Sequence, residues 1–145
     1  MRAAVPLVLA SLSASAAAAG SPPAKPSPAQ CTPTVQASPD RNGLNLSPAR
    51  TVRMVAETRD HFIAAARAAC AGGIIAPRDL AHFRRLLLRD AEGTTEPMLF
   101  TREAGPTAAY LDFAYQSGPA PTVGALRNAL RCWKRPSARG CEIGD

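Results

Sequence analysis

The chain has 145 residues, of which 46% are hydrophobic, and its 17 basic and 11 acidic side chains give a formal net charge of +6. This length suits one small domain, and so modest a basic excess argues against a nucleic-acid-binding protein. The sequence contains no CxxC or HExxH motif, and His61 and His82 are its only histidines. It therefore predicts neither a metal site nor a bound cofactor.

Residues 1–19 have the composition of a secretory signal peptide. Arg2 precedes a short apolar run over residues 3–12, and small residues at 17–19 suit a cleavage site. The run is shorter than the roughly 20 residues that a transmembrane helix needs. We therefore expect cleavage near Ala19 and an exported mature protein, periplasmic or secreted, without a transmembrane segment.

Residues 20–42 are rich in proline, serine, alanine and threonine. Such a segment has too little apolar surface to form a core, and proline keeps it extended. This composition predicts a disordered spacer, followed by a small disulfide-bonded helical domain over residues 43–145.

Four cysteines behind an export signal predict two disulfides, with three alternative pairings. We favour Cys31–Cys70 and Cys132–Cys141, because Cys132 points away from the apolar side of its predicted helix and suits a partner nearby in sequence. The main alternative joins Cys70 to Cys132.

The stretch from Ser47 to Gly73 predicts one long amphipathic helix. Ser47 is a good N-cap, a proline suits the first helical position that follows it, and two glycines end the run. Apolar residues recur at spacings of three and four along the stretch. The predicted stripe consists of Val52, Val55, Ala56, Ile63, Ala66 and Cys70.

A second helix is predicted over residues 77–91, joined to the first by a link so short that the two must form an antiparallel hairpin. Its apolar side consists of Leu80, Phe83, Leu87 and Ala91. Its opposite side consists of Arg78, His82, Arg85 and Arg89, which we call the predicted basic stripe.

Residues 94–121 are ambiguous, because the alternation around Leu111 and Phe113 favours a short β-hairpin whereas the alanines would also suit a helix over residues 107–116. A last helix is predicted from about Thr122 to Lys134. The sequence thus predicts a mainly α fold: a three-helix small domain, built from an antiparallel helical hairpin and a C-terminal helix, with a short β-hairpin between helices 2 and 3.

Arg59 lies in the middle of the predicted apolar stripe of the first helix. A charge in that place is costly unless it is paired or the arginine stretches its stem along the surface. The hairpin geometry places Asp90 at about the same level, so we expect a partly buried Arg59–Asp90 ion pair, with Asp112 as the second choice of partner.

The predicted basic stripe is the main candidate for a binding site, since arginine grips carboxylates and phosphates with two hydrogen bonds. The partner would be a protein or an anionic envelope surface.

Catalysis has weaker support. Asp79 could orient His82, and Asp60 adjoins His61, but no GxSxG motif supplies a nucleophile. We therefore expect a non-catalytic binding domain of the cell envelope; a small exported hydrolase with a His/Asp pair and a structural envelope component are the alternatives.

Overall fold

The computed structural model describes residues 20–91, 98–114 and 118–141, so the predicted signal peptide lies outside the described residues. The elements, in chain order, are strand β1 (Gln36–Pro39), helix α1 (Pro48–Ala71), a 3-10 helix (Pro77–Phe83), strands β2 (Arg85–Asp90), β3 (Leu99–Thr101) and β4 (Ala108–Phe113), and helix α2 (Val123–Lys134). The prediction of a mainly α, three-helix domain is therefore wrong, because this is an α/β fold.

The four strands form one mixed sheet in the order β1-β2-β4-β3. β1, β2 and β4 are parallel, and β3 is antiparallel to β4. Since a parallel β1–β2 pair needs a crossover connection, α1 lies over one face of the sheet. α2 packs beside α1 on that same face. The result is a two-layer structure with its two α-helices on one side of the sheet.

Helix α1 begins and ends where the sequence predicted. Ser47 is the N-cap, its side chain accepting a hydrogen bond from the N–H of Arg50, and Gly72 is the C-cap. The buried stripe, however, differs from the predicted one. Its residues are Met54, Thr58, Phe62, Ala65, Ala66, Ala69 and Cys70, whereas Val52 is 71% exposed. The inward-facing side of α1 is therefore rotated by about one residue position from the predicted stripe.

This rotation explains why the predicted Arg59–Asp90 ion pair is wrong. At about 100° per residue, Arg59 lies about 70° from the centre of the buried stripe. It is exposed and pairs with its neighbour Asp60, Nη2 to Oδ1 2.9 Å. Asp112, the second-choice partner, pairs instead with Arg89.

The predicted second helix is also wrong: residues 77–83 form a 3-10 helix and residues 85–90 a strand. A run of three leucines from Leu86 to Leu88 fits either structure locally. β2 gains hydrogen bonds from strands on both of its sides, β1 and β4, which a helix in this place could not make. Tertiary pairing therefore outweighs the local helical pattern.

The core lies between the helices and the inner face of the sheet. Leu86 and Leu88 of β2 and Leu111 of β4 are fully buried there. The ring centroids of Phe62, Phe83 and Phe100 lie 5.3 to 5.6 Å from one another. Leu126 and Leu130 of α2 are also fully buried.

Strand β1 lies inside the segment predicted to be a disordered spacer. It pairs with β2, and Cys31 and Val35 ahead of it are buried in the core. The folded part of the chain therefore begins well before residue 43. A disulfide joins Cys31 to Cys70, and a second joins Cys132 to Cys141, the same pairs that the sequence analysis favoured.

Candidate interaction surface

The face of the sheet that points away from the helices carries a polar and aromatic surface. Leu86 and Leu88 point into the core, so Arg85, Leu87 and Arg89, which alternate with them, point outward. We define the outer sheet face by its outward-pointing residues in strand order: Gln36, Ser38, Arg85, Leu87, Arg89, Tyr110, Asp112, Leu99 and Thr101. In the described part of the chain, both α-helices lie on the opposite side.

Arg89 is the fixed centre of the outer sheet face. Its Nε and Nη2 both donate to the carboxylate of Asp112, the latter at 2.9 Å, and its guanidinium lies 4.2 Å from the ring centre of Tyr110. The hydrogen bond to Asp112 raises the pKa of Arg89, although burial opposes this effect. Because its charge is balanced and its position fixed, Arg89 organises this surface rather than offering a free cation.

Two unpaired arginines lie at the amino end of β2. Arg84 and Arg85 are exposed, and neither has an ion pair within the three described ranges. They line a cleft of about 550 Å³ between residues 30–36 and the 3-10 helix, which we call the basic cleft. Pro33, Pro77 and Leu80 supply part of its apolar lining, and none of the described acidic residues lines it. The cleft therefore combines apolar surface with two available guanidinium groups.

Asp79 connects the 3-10 helix to the end of α2. Its carboxylate accepts hydrogen bonds from Lys134 Nζ at 2.9 Å and from the N–H of Ala76 at 2.7 Å. Burial acts to raise the pKa of Asp79, but these hydrogen bonds and the charges of Lys134 and Arg78 outweigh it, so the pKa is lowered from 3.8. Arg78 itself is exposed on the 3-10 helix.

His82 is a packing residue rather than a surface ligand. Its Nδ1 lies 2.8 Å from the carbonyl oxygen of Pro106, which can only accept, so Nδ1 carries the proton. Its ring stacks on Trp133 at 5.5 Å and meets Phe83 edge-on. The imidazole thus holds the 3-10 helix against α2 and the loop before β4.

The predicted basic stripe therefore does not exist as one surface. Arg85 and Arg89 share the outer sheet face, whereas Arg78 and His82 lie on the 3-10 helix. The stripe assumed one helical period from residue 77 to residue 91. The change to a strand at Arg85 replaces that period with the two-residue period of a sheet.

Neither carboxylate–imidazole pair considered for catalysis is formed. Asp79 is held by Lys134 and Ala76, and His82 by Pro106. Asp60 pairs with Arg59, while Nδ1 of His61 lies 2.7 Å from the carbonyl oxygen of Pro121. In both pairs, therefore, the acid and the imidazole have other partners.

Sequence reasoning missed the roles of Arg84, Tyr110 and Asp112. The predicted alternation around Leu111 and Phe113 did place Tyr110 and Asp112 on one side of a strand. It could not show that β2 lies beside that strand, and only this pairing brings Arg89 to both residues.

No protein-family profile matches the chain, and comparisons with curated proteins and with solved structures found no match either. A search of the described helices found none with the length and apolar character needed to cross a membrane.

Proposed function

We propose that the protein is an exported, non-catalytic binding domain of the cell envelope that binds an acidic protein partner at the basic cleft. The observation that carries this proposal is the presence of two exposed, unpaired arginines, Arg84 and Arg85, in a cleft that also offers apolar surface. The two disulfides support an oxidising, exported environment.

The chemistry of the cleft favours carboxylates as its ligands. A guanidinium group holds a carboxylate with two parallel hydrogen bonds, and these charge-assisted bonds are about twice as strong as neutral ones. The prolines and Leu80 add apolar contact area, which isolated surface charges lack. A peptide segment with acidic and apolar residues supplies both kinds of contact.

The edge of the sheet next to the cleft favours an extended segment. β1 is an edge strand of the sheet, and Gln36, its first residue, lines the cleft together with residues 32–34. An extended partner running beside this edge would have both backbone groups and side chains to bind. The net positive charge of the chain would also speed the approach of an acidic partner.

The test compares two double variants that remove the same charge. Arg84→Gln/Arg85→Gln alters the cleft, whereas Arg127→Gln/Arg139→Gln alters exposed arginines of α2 and the C-terminal segment. Each mature protein is immobilised and incubated with envelope extract at low salt. Retained proteins are identified by mass spectrometry, and the dissociation constant of each purified candidate is measured at about 50 and 300 mM NaCl.

We expect the wild type and the control variant to retain the same acidic protein and the cleft variant to bind it at least about tenfold more weakly, since each lost charged hydrogen bond is worth about 1.5–3 kcal/mol. Binding should weaken as salt rises. Equal binding by the two double variants, or a retained partner whose binding ignores salt, would contradict the proposal.

A further inference from the structure

A second cleft lies at the carboxyl ends of β1 and β2. The two strands are parallel, so their carboxyl ends lie at one edge of the sheet, where Asp90 ends β2 and Asp40 follows β1. The N–H of Asp40 donates to the carbonyl oxygen of Leu88 at 3.0 Å, which fixes the start of the loop over residues 40–47 beside the end of β2.

The carboxylate of Asp90 is the unusual feature of this edge. Both of its oxygens are shielded from water, and neither has a hydrogen-bond partner among the described residues. Removing a carboxylate from water costs several kcal/mol unless a cation or hydrogen-bond donors compensate it. The fold therefore leaves a carboxylate whose charge a bound cation would compensate.

Other residues with side-chain oxygens line the cleft beside Asp90. Asp40, Asn42 and Asn45 line a cleft of about 510 Å³ together with Asp90, and we call it the loop cleft. A tight turn shapes it: Oδ1 of Asp40 accepts from the N–H of Asn42 at 2.8 Å, and the N–H of Gly43 donates to the carbonyl oxygen of Asp40. Gly43 has φ of 72°, a conformation that glycine adopts without strain.

Within the described residues, no lysine or arginine forms an ion pair with Asp90. Arg89 borders the loop cleft, but its guanidinium is engaged by Asp112 and Tyr110 on the outer sheet face. Within the ranges that the structure describes, no three His, Cys, Asp or Glu side chains come together as a metal-binding group. The available ligands are instead carboxylate and amide oxygens, which suit hard cations rather than zinc or copper.

We propose that the loop cleft binds a calcium ion, with Asp90 as the principal anionic ligand. Asp40, Asn42 and Asn45 offer further side-chain oxygens, and water completes the coordination. Calcium is favoured over magnesium because a loop of mixed carboxylate and amide ligands suits its flexible coordination, whereas magnesium needs a near-ideal octahedron. Two carboxylates imply a dissociation constant near 1 mM, the range of extracellular calcium modules.

The ion would fasten the loop before α1 to the end of β2. Because it would bind only the folded protein, calcium should raise the unfolding temperature of the mature, disulfide-bonded chain. At about 10 mM calcium and a dissociation constant of about 1 mM, the folding equilibrium shifts about elevenfold. For a domain of this size that shift corresponds to a rise of several degrees.

The experiment follows thermal unfolding in metal-free buffer with CaCl₂ or MgCl₂ added up to 10 mM and NaCl adjusted to hold ionic strength constant. Asp90→Asn removes the anionic ligand, and Asp60→Asn is the control, since Asp60 is 64% exposed and pairs on the surface of α1. Wild type and Asp60→Asn should gain several degrees with calcium and less with magnesium. Asp90→Asn should lose the gain and, without metal, be at least as stable as the wild type.

An equal calcium response in Asp90→Asn and wild type, or no response in the wild type, would overturn the proposal, and an equal response to magnesium would overturn the preference for calcium. If Asp90→Asn fails to fold, Asn42→Ala/Asn45→Ala takes its place and should weaken calcium binding measured by titration calorimetry. Unchanged binding in that variant, or no saturable heat in the wild type, would also overturn the proposal.

Discussion

At the scale of single residues, Asp79 has the clearest energetic role, because one carboxylate joins the 3-10 helix to the end of α2. It is 12% exposed, and it accepts from both Lys134 and the backbone of Ala76. Its lowered pKa means that the folded state favours the ionised form. The carboxylate therefore stabilises the fold above pH 3.8, and this contribution disappears as the pH falls through the lower pKa of the folded state.

We expect Asp79→Asn to reduce the free energy of unfolding by about 1 kcal/mol at pH 7. This is the value of one charged hydrogen bond, lowered because Lys134 is partly exposed to solvent. Urea denaturation at several pH values measures this. The difference from wild type should shrink below about pH 4, because protonation removes the same charge from the wild type.

Asp60→Asn is the matched control for this measurement. Its ion pair with Arg59 is exposed, with the two side chains 45% and 64% accessible, so its loss should change stability by less than about 0.5 kcal/mol. A difference between Asp79→Asn and wild type that stays constant down to pH 2 would contradict the assigned role of the Asp79 charge.

At the scale of elements, β2 decides the fold. Its three consecutive leucines are divided between two environments: Leu86 and Leu88 are fully buried under the helices, while Leu87 is only partly buried on the outer sheet face. The helical interpretation of residues 77–91 assigned the opposite roles, with Leu87 in the centre of the apolar side. Substitutions at these adjacent positions therefore distinguish the two structures.

We expect Leu86→Ala to reduce the free energy of unfolding by about 2–5 kcal/mol, as large-to-small changes in a packed core do. Leu87→Ala should cost less than about 1 kcal/mol, because its side chain leaves no closed cavity. Equilibrium urea denaturation of both variants measures the contrast. A larger loss for Leu87→Ala than for Leu86→Ala would contradict the strand.

The sequence predicted those elements whose signals are local. Ser47 and Gly72 mark the ends of α1, and Thr122 caps α2 through a hydrogen bond from the N–H of Ala125. β2 could not be predicted in the same way, because its stability depends on pairing with β1 and β4. β1 lies 46 or more residues before β2 in the chain, and β4 lies about 20 residues after it. The basic cleft could not be predicted for the same reason, since it forms only where β1, the 3-10 helix and β2 meet in the folded chain.

At the scale of the whole molecule, the two disulfides have different roles. Cys31–Cys70 spans 39 residues and joins the segment before β1, including one wall of the basic cleft, to the last turn of α1. Cys132–Cys141 spans only 9 residues and fastens the C-terminal segment to α2. The first bond therefore holds the segment before β1 against α1, and the second constrains only a local turn at the end of α2.

Loop entropy makes this difference measurable. Closing the longer loop stabilises the fold by about 4 kcal/mol and the shorter one by about 3 kcal/mol, so Cys31→Ala/Cys70→Ala should reduce the free energy of unfolding by about 1 kcal/mol more than Cys132→Ala/Cys141→Ala. Cys31 and Cys70 are also almost fully buried, and the space left by their sulfur atoms increases the difference. Guanidinium denaturation of the two double variants, each keeping the other disulfide, measures both losses. A larger loss in Cys132→Ala/Cys141→Ala would mean that the C-terminal segment, rather than the attachment of β1 to α1, limits the stability of the domain.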